Sequence, residues 1–199
     1  KKLLALIKYL KSIDIFIEYI DIGGGIGIQY EKEKPPNISE YAKSVKKILK
    51  GINLKIIFEP GRVLVGNAGI LLTTVEFIKN SSEKNFVIVN AAMNDLMRPS
   101  LYSAFHKIVN LSQSKSHKKK YDIVGPICET GDFLGKNRLL SVEENNLLAI
   151  LDVGAYGMSM SSHYNSRPKI SEIMVDNDKF YVIRNKDTFA DLINGEKLL

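Results

Sequence analysis

Apolar and polar positions change rhythm along this chain. Residues 3–10 carry apolar side chains at helical spacing. Residues 16–22 form instead a continuous apolar, β-branched run that stops at Gly23, Gly24 and Gly25, the pattern of a strand buried on both faces. Asn37 is placed to cap a helix, with Glu40 as a reciprocal partner. Tyr41, Val45, Ile48 and Ile52 then mark one helical face, and Gly51 ends it. Residues 54–58 read as the next strand, which stops at Glu59 and Pro60. Strand, helix and strand in this order predict a βαβ unit with parallel strands.

From Gly69 onward strand signals dominate. Residues 70–78, 86–91, 105–110, 121–124, 147–153 and 173–175 all read as strands. Residues 180–183 follow Asp176, Asn177 and Asp178, which is hairpin chemistry. Helical signals shrink to residues 94–97, 161–164 and 187–193. The chain is expected to pass from an α/β layer, residues 1–67, into a mostly antiparallel β domain, residues 68–199, with the boundary near Val65 to Gly69.

Composition narrows the function classes. The 199 residues are 45% hydrophobic and 25% charged, ordinary for a chain with a real core. No apolar run approaches the roughly 20 residues of a membrane span, and residues 1–20 do not read as a signal peptide. The net charge of +6 raises nucleic acid as a partner, but the lysines are dispersed. The one dense run, residues 112–120, lacks interleaved aromatics and reads as a solvated loop. Cys128 is the only cysteine, so no internal disulfide forms, which fits a reducing cytoplasm. His106, His117 and His163 lack ligand-like spacing and read as structural, so no metal site is expected. No nucleophile-elbow sequence supports Ser-His-Asp chemistry.

The remaining signals sit at strand ends. Gly23, Gly24, Gly25, Ile26 and Gly27 follow a strand, and without Cβ atoms their N–H groups can turn around an anion; a tight turn is the alternative. A dinucleotide fingerprint fits poorly, because Ile28 stands where its third glycine belongs. Glu59, Pro60, Gly61 and Arg62 follow the second strand, where Arg62 can fork onto phosphate or carboxylate or lie on a plain surface turn. Two such loops at the carboxyl ends of parallel strands share the face on which barrel enzymes build sites. Arg98 and Tyr102 can face one carboxylate or form an ordinary surface pair. Cys128 beside Glu129 is a proton donor or a plain buried thiol, and Tyr156 either projects into a site or packs.

Taken in order, DIGGGIGI (21–28), FEPGR (58–62), MNDLMRPSLY (93–102), GPICETGD (125–132) and DVGAYGMSMSSHYNSRP (152–168) resemble the diaminopimelate decarboxylases of the ornithine/diaminopimelate/arginine decarboxylase family. The resemblance implies the last βα units of an alanine-racemase-type (β/α)8 barrel followed by a β domain. It implies pyridoxal 5'-phosphate held by Gly23, Gly24, Gly25, Glu59, Pro60, Gly61 and Arg62, with Tyr156 touching cofactor and substrate. Arg62, Arg98 and Tyr102 would bind a substrate carboxylate, Glu129 the distal amino group, and Cys128 would be the catalytic proton donor. The implied reaction is decarboxylation of meso-2,6-diaminopimelate to L-lysine, the last step of lysine biosynthesis, in a homodimer with shared sites. A related ornithine, arginine or carboxynorspermidine decarboxylase and a non-catalytic fragment are the alternatives. Asn90 stands where the family usually has aspartate, which puts a local polar contact in question. The family's cofactor lysine lies upstream, and Lys1, Lys2, Lys8 and Lys11 do not match it, so this chain alone is expected to be inactive.

Overall fold

The computed structural model describes residues 2–198; Lys1 and Leu199 lie outside the described residues. Contacts divide the chain into two compact units, the first ending at Leu64 and the second beginning at Val65.

The first unit is a βαβ arrangement preceded by a helix. Helix α1 (Lys2–Ser12) leads into strand β1 (Tyr19–Asp21), helix α2 (Ile38–Ile48) and strand β2 (Lys55–Ile57). Asn37 Oδ1 accepts from the backbone N–H groups of Ser39 and Glu40, which satisfies two of the free donors at the start of α2. Gly51, at φ +84°, turns the chain out after that helix. β1 and β2 pair in parallel, Ile20 opposite Ile56, as the βαβ order requires. The apolar run before Gly23 behaves differently from its sequence signal. Only its last part is strand, Ile20 is buried, and Phe16 and Tyr19 are exposed.

The second unit is built on a six-stranded sheet in the order β5-β8-β3-β4-β6-β7. Its strands are β3 (Leu71–Lys79), β4 (Phe86–Val89), β5 (Ile108–Asn110), β6 (Lys119–Val124), β7 (Phe133–Leu140) and β8 (Leu147–Ile150). All neighbours are antiparallel except β4 and β6. Alternation puts Leu71, Thr73 and Val75 inward and Leu72 outward. Val87, Val89, Ile123, Leu134, Leu148 and Ile150 are among the residues that join them in the core, and burying each such side chain contributes about 1.5–3 kcal/mol. Strand β7 has no clean apolar alternation, since Gly135, Lys136 and Asn137 interrupt it. It is held by pairing with β6 across two register shifts, and by the Asn137 N–H donating to Asp122 Oδ1 at 2.8 Å.

Strands β9 (Glu172–Asp176) and β10 (Lys179–Arg184) form a separate antiparallel hairpin turned at Asn177, φ +55°. The signal at residues 94–97 is a turn; the helix there is α4 (Arg98–Tyr102), one step later. The signal at 161–164 is replaced by single 3-10 turns, Met158–Met160 and Tyr164–Ser166. A capping box between Thr188 and Asp191 opens the short helix α5 (Phe189–Leu192). Among the described residues no helix is long and apolar enough to cross a membrane.

Candidate active site

In the first unit the glycine loop and the Glu59 turn are bonded to one another. Ile22 N–H donates to the Ile57 carbonyl at 3.1 Å, and Glu59 N–H donates to the Gly23 carbonyl at 2.9 Å, extending the parallel pairing past the strand ends. Asp21 Oδ1 accepts from Gly23 N–H at 2.8 Å. Gly23 and Gly25 hold φ +73° and +82°, where a side chain is strained, and a β-carbon on Gly24 would lie 2.1 Å from the Glu59 carbonyl oxygen. A β-carbon on Gly23, Gly25 or Gly27 would meet no heavy atom within 4 Å, so the space beside these backbone units is open to a ligand. Arg62 begins helix α3 (Arg62–Val65). Its Nη1 donates to the Tyr30 hydroxyl at 3.3 Å and its guanidinium lies 5.5 Å over the Tyr30 ring, so Tyr30 orients it by bond and stacking. Glycine amides and an oriented arginine beside open space fit a phosphate.

In the second unit the turn after β4 and the loop after β6 meet at Asp132. Its Oδ1 accepts from Met93 N–H at 2.7 Å and its Oδ2 from Ile127 N–H at 2.8 Å. Gly125 makes room for it: a β-carbon there would lie 2.4 Å from Oδ2. Burial pushes the Asp132 carboxyl up, against the pull of these two N–H donors. Asp95 is likewise pushed up by burial while accepting from Ala92 N–H at 2.9 Å. Arg167 grips the same turn. Its Nε donates to Asn94 Oδ1 at 2.9 Å, and its Nη2 donates to the Asn90 carbonyl at 2.7 Å and lies 3.9 Å from Asp95. Asn90 Oδ1 accepts from Thr73 Oγ1 at 2.8 Å and Thr74 N–H at 3.0 Å, an acceptor role that an amide carbonyl fills as a carboxylate can.

Cys128 is a free, exposed thiol, and Glu129 beside it is exposed as well. Glu129 Oε1 accepts from Gly131 N–H at 3.1 Å and Oε2 from the Tyr164 hydroxyl at 3.1 Å. Those two donors, Gly131 first, hold its carboxyl below the ordinary range. The loop is tied to α4 because Ser100 Oγ donates to the Gly131 carbonyl. Arg98 and Tyr102 share α4 but differ in setting: Arg98 is 6% exposed and its Nη1 meets His106 Nε2 at 2.8 Å, whereas Tyr102 is 62% exposed. Tyr156 is half-exposed at φ +61°, a conformation costing about 1 kcal/mol in a residue with a side chain. The two residues before it are tightly placed. Ala155 is buried, and a β-carbon on Gly154 would strike the Val65 carbonyl oxygen at 1.9 Å.

Residues 11–183 match the family described as pyridoxal-dependent decarboxylase, C-terminal sheet domain. The chain belongs to that family. Among curated proteins it is 48% identical to a diaminopimelate decarboxylase of Pseudomonas fluorescens over 198 residues, covering 100% of this chain and 48% of that protein. Among solved structures it is similar to a protein from Aquifex aeolicus (TM-score 0.93, 45% identity, 97% of this chain, 48% of that one). It is also similar to Helicobacter pylori diaminopimelate decarboxylase complexed with L-lysine (TM-score 0.90, 42% identity, 97% and 48%). The chain thus spans about half the length of the relatives it matches. As a member of the pyridoxal-dependent decarboxylases it shows their C-terminal sheet domain, mostly β.

The geometry gathers Gly23, Gly24, Gly25, Glu59, Pro60, Gly61 and Arg62 in one unit. In the other it gathers Arg98, Tyr102, Cys128 and Glu129 around α4 and the loop bonded to it. Sequence reasoning gave no role to Tyr30, Asp132, Tyr164 or Arg167 and left His106 as a structural residue. Tyr164 and Arg167 lie within the motif ending at Pro168, which is the one signal that pointed to them.

Proposed function

We propose that this chain is the C-terminal portion of a diaminopimelate decarboxylase, which removes CO₂ from meso-2,6-diaminopimelate to leave L-lysine. The observation that carries the reading is likeness over the whole chain to decarboxylases of that specificity. Residues 1–67 are then the last βα units of a pyridoxal-phosphate barrel, and residues 68–199 the β domain. The open glycine loop, with Glu59, Pro60, Gly61 and Arg62 beside it, would hold the cofactor phosphate, and Tyr156 would lie against the cofactor. The chemistry supplied by pyridoxal phosphate when bound is an electron sink for the carbon that loses CO₂.

The chain's own residues do the rest. Arg62, Arg98 and Tyr102 hold a substrate carboxylate by charge and hydrogen bonding, which selects a substrate with a second carboxyl group. Glu129, kept ionised by Gly131 and Tyr164, binds the distal ammonium group. Cys128, exposed on its loop, delivers a proton to the carbon vacated by CO₂. A second copy of the chain completes each site in the proposed homodimer.

The test is turnover of meso-diaminopimelate by the full-length protein that carries this chain, loaded with pyridoxal phosphate. Stoichiometric CO₂ and L-lysine are expected, with turnover falling about a hundredfold or more in Cys128→Ala. Equal turnover of ornithine or arginine would remove the specificity.

A further inference from the structure

His106 is the least accessible titratable side chain near the proposed carboxylate site, with 0% exposure, and the reaction as described makes no use of it. Its place follows from the end of α4. Ser103 adopts φ +52°, and the N–H groups of Ser103 and Ala104 both donate to the Arg98 carbonyl. This folds the chain back so that His106 meets the Arg98 side chain.

The two ring contacts fix the state of the imidazole. His106 Nδ1 lies 2.9 Å from the Leu151 carbonyl oxygen, which only accepts, so Nδ1 carries the proton. Nε2 lies 2.8 Å from Arg98 Nη1, and a guanidinium only donates, so Nε2 is bare and the ring is neutral. Burial, the larger cause, and the Arg98 charge both oppose protonation. A neutral histidine with this tautomer is a fixed acceptor, tied through Leu151 to the end of the core strand β8.

We propose that His106 is the positioning residue for Arg98, aiming its guanidinium at the distal carboxylate of substrate and product. The inference rests on the carboxylate-binding role proposed above for Arg98. Without the Nε2 acceptor, one N–H of a nearly buried guanidinium must find another partner, and the fork turns away from the angle a carboxylate requires. A residue that only filled space would not distinguish ligands by their carboxylates.

The test measures binding to the full-length, cofactor-loaded protein by calorimetry, with L-lysine and with 1,5-diaminopentane, the same diamine lacking the carboxylate. His106→Leu should weaken L-lysine about tenfold or more and leave the diamine within about twofold. His106→Gln, whose amide oxygen can again accept from Arg98, should recover much of the loss. Equal weakening of both ligands, or no recovery in His106→Gln, would overturn the proposal. Arg98→Ala separates it from the reading beneath it. If that variant binds L-lysine normally, the carboxylate role of Arg98 fails. If it binds weakly while His106→Leu is normal, the positioning role alone fails. Should His106→Leu not fold, ¹⁵N spectra of histidine-labelled protein decide: a bare Nε2 and protonated Nδ1 are expected at neutral pH, and an imidazolium or the opposite tautomer would refute the assignment.

Discussion

Gly24 and Glu59 stand so close that a single added carbon would sit 2.1 Å from the Glu59 carbonyl oxygen. Backbone cannot yield there cheaply, because Glu59 N–H is already donated to Gly23. Gly24→Ala should separate the two loops, cost about 1–3 kcal/mol in stability and weaken pyridoxal phosphate binding by an order of magnitude or more. Gly27→Ala is the control, since its β-carbon meets nothing within 4 Å of protein. Thermal melts and cofactor titration of the full-length protein check both.

Asp132 is a second focus of stability. Replacing it with alanine leaves the N–H groups of Met93 and Ile127 without their acceptor in a buried setting, at a cost of about 2–5 kcal/mol. Asp132→Asn keeps one acceptor oxygen and should cost less. Gly125→Ala, which drives a β-carbon against the same carboxylate, should resemble Asp132→Ala in denaturant unfolding.

Much of this fold was legible from spacing. The Asn177 hairpin follows from residues near one another in sequence, and the parallel pair, whose partners lie 36 positions apart, follows from the strand–helix–strand order of three locally patterned segments. Strand β7 did not, because Gly135, Lys136 and Asn137 hide a strand specified by its pairing with β6. The same division holds at the site. The motifs pointed to Arg98 and Glu129 but not to the groups bonded to them: His106 reaches Arg98 through the left-handed turn at Ser103, which no spacing pattern announced, and Tyr164, 35 positions from Glu129, is brought there by the tertiary fold.

Tyr164→Phe removes one of the two main donors to Glu129. The Glu129 carboxyl should then titrate closer to its ordinary range, with Gly131 N–H still holding it down in part. KM for diaminopimelate should rise a few-fold with kcat nearly unchanged, which steady-state kinetics would show. An unchanged KM would mean that Glu129 does not need this bond.

His106 also leaves a signature in the pH dependence of stability. Its proton affinity in the fold lies below the ordinary value of 6.5, through burial first. Above that pH the ring is neutral in folded and unfolded chains alike and adds no slope. As pH falls through 6.5 the unfolded chain takes up a proton that the folded site refuses, so stability falls. Asp95 and Asp132 act oppositely and at lower pH: their raised affinities let the fold bind protons first, adding stability as pH falls toward 3.8. Melting curves across about pH 5–8 should therefore slope less steeply in His106→Gln than in the parent.

The shared carboxylate at Asp132 has one more consequence. It makes the turn after β4 and the loop carrying Cys128 and Glu129 into a single mechanical piece: one bond, from Met93 N–H, joins the two segments, and the other, from Ile127 N–H, closes the loop on itself. A change that tilts either segment is felt at the other. Attempts to retune ligand choice by altering residues on one segment should then travel with changes in the thiol's setting, and paired substitutions across Asp132 will be the productive unit of redesign.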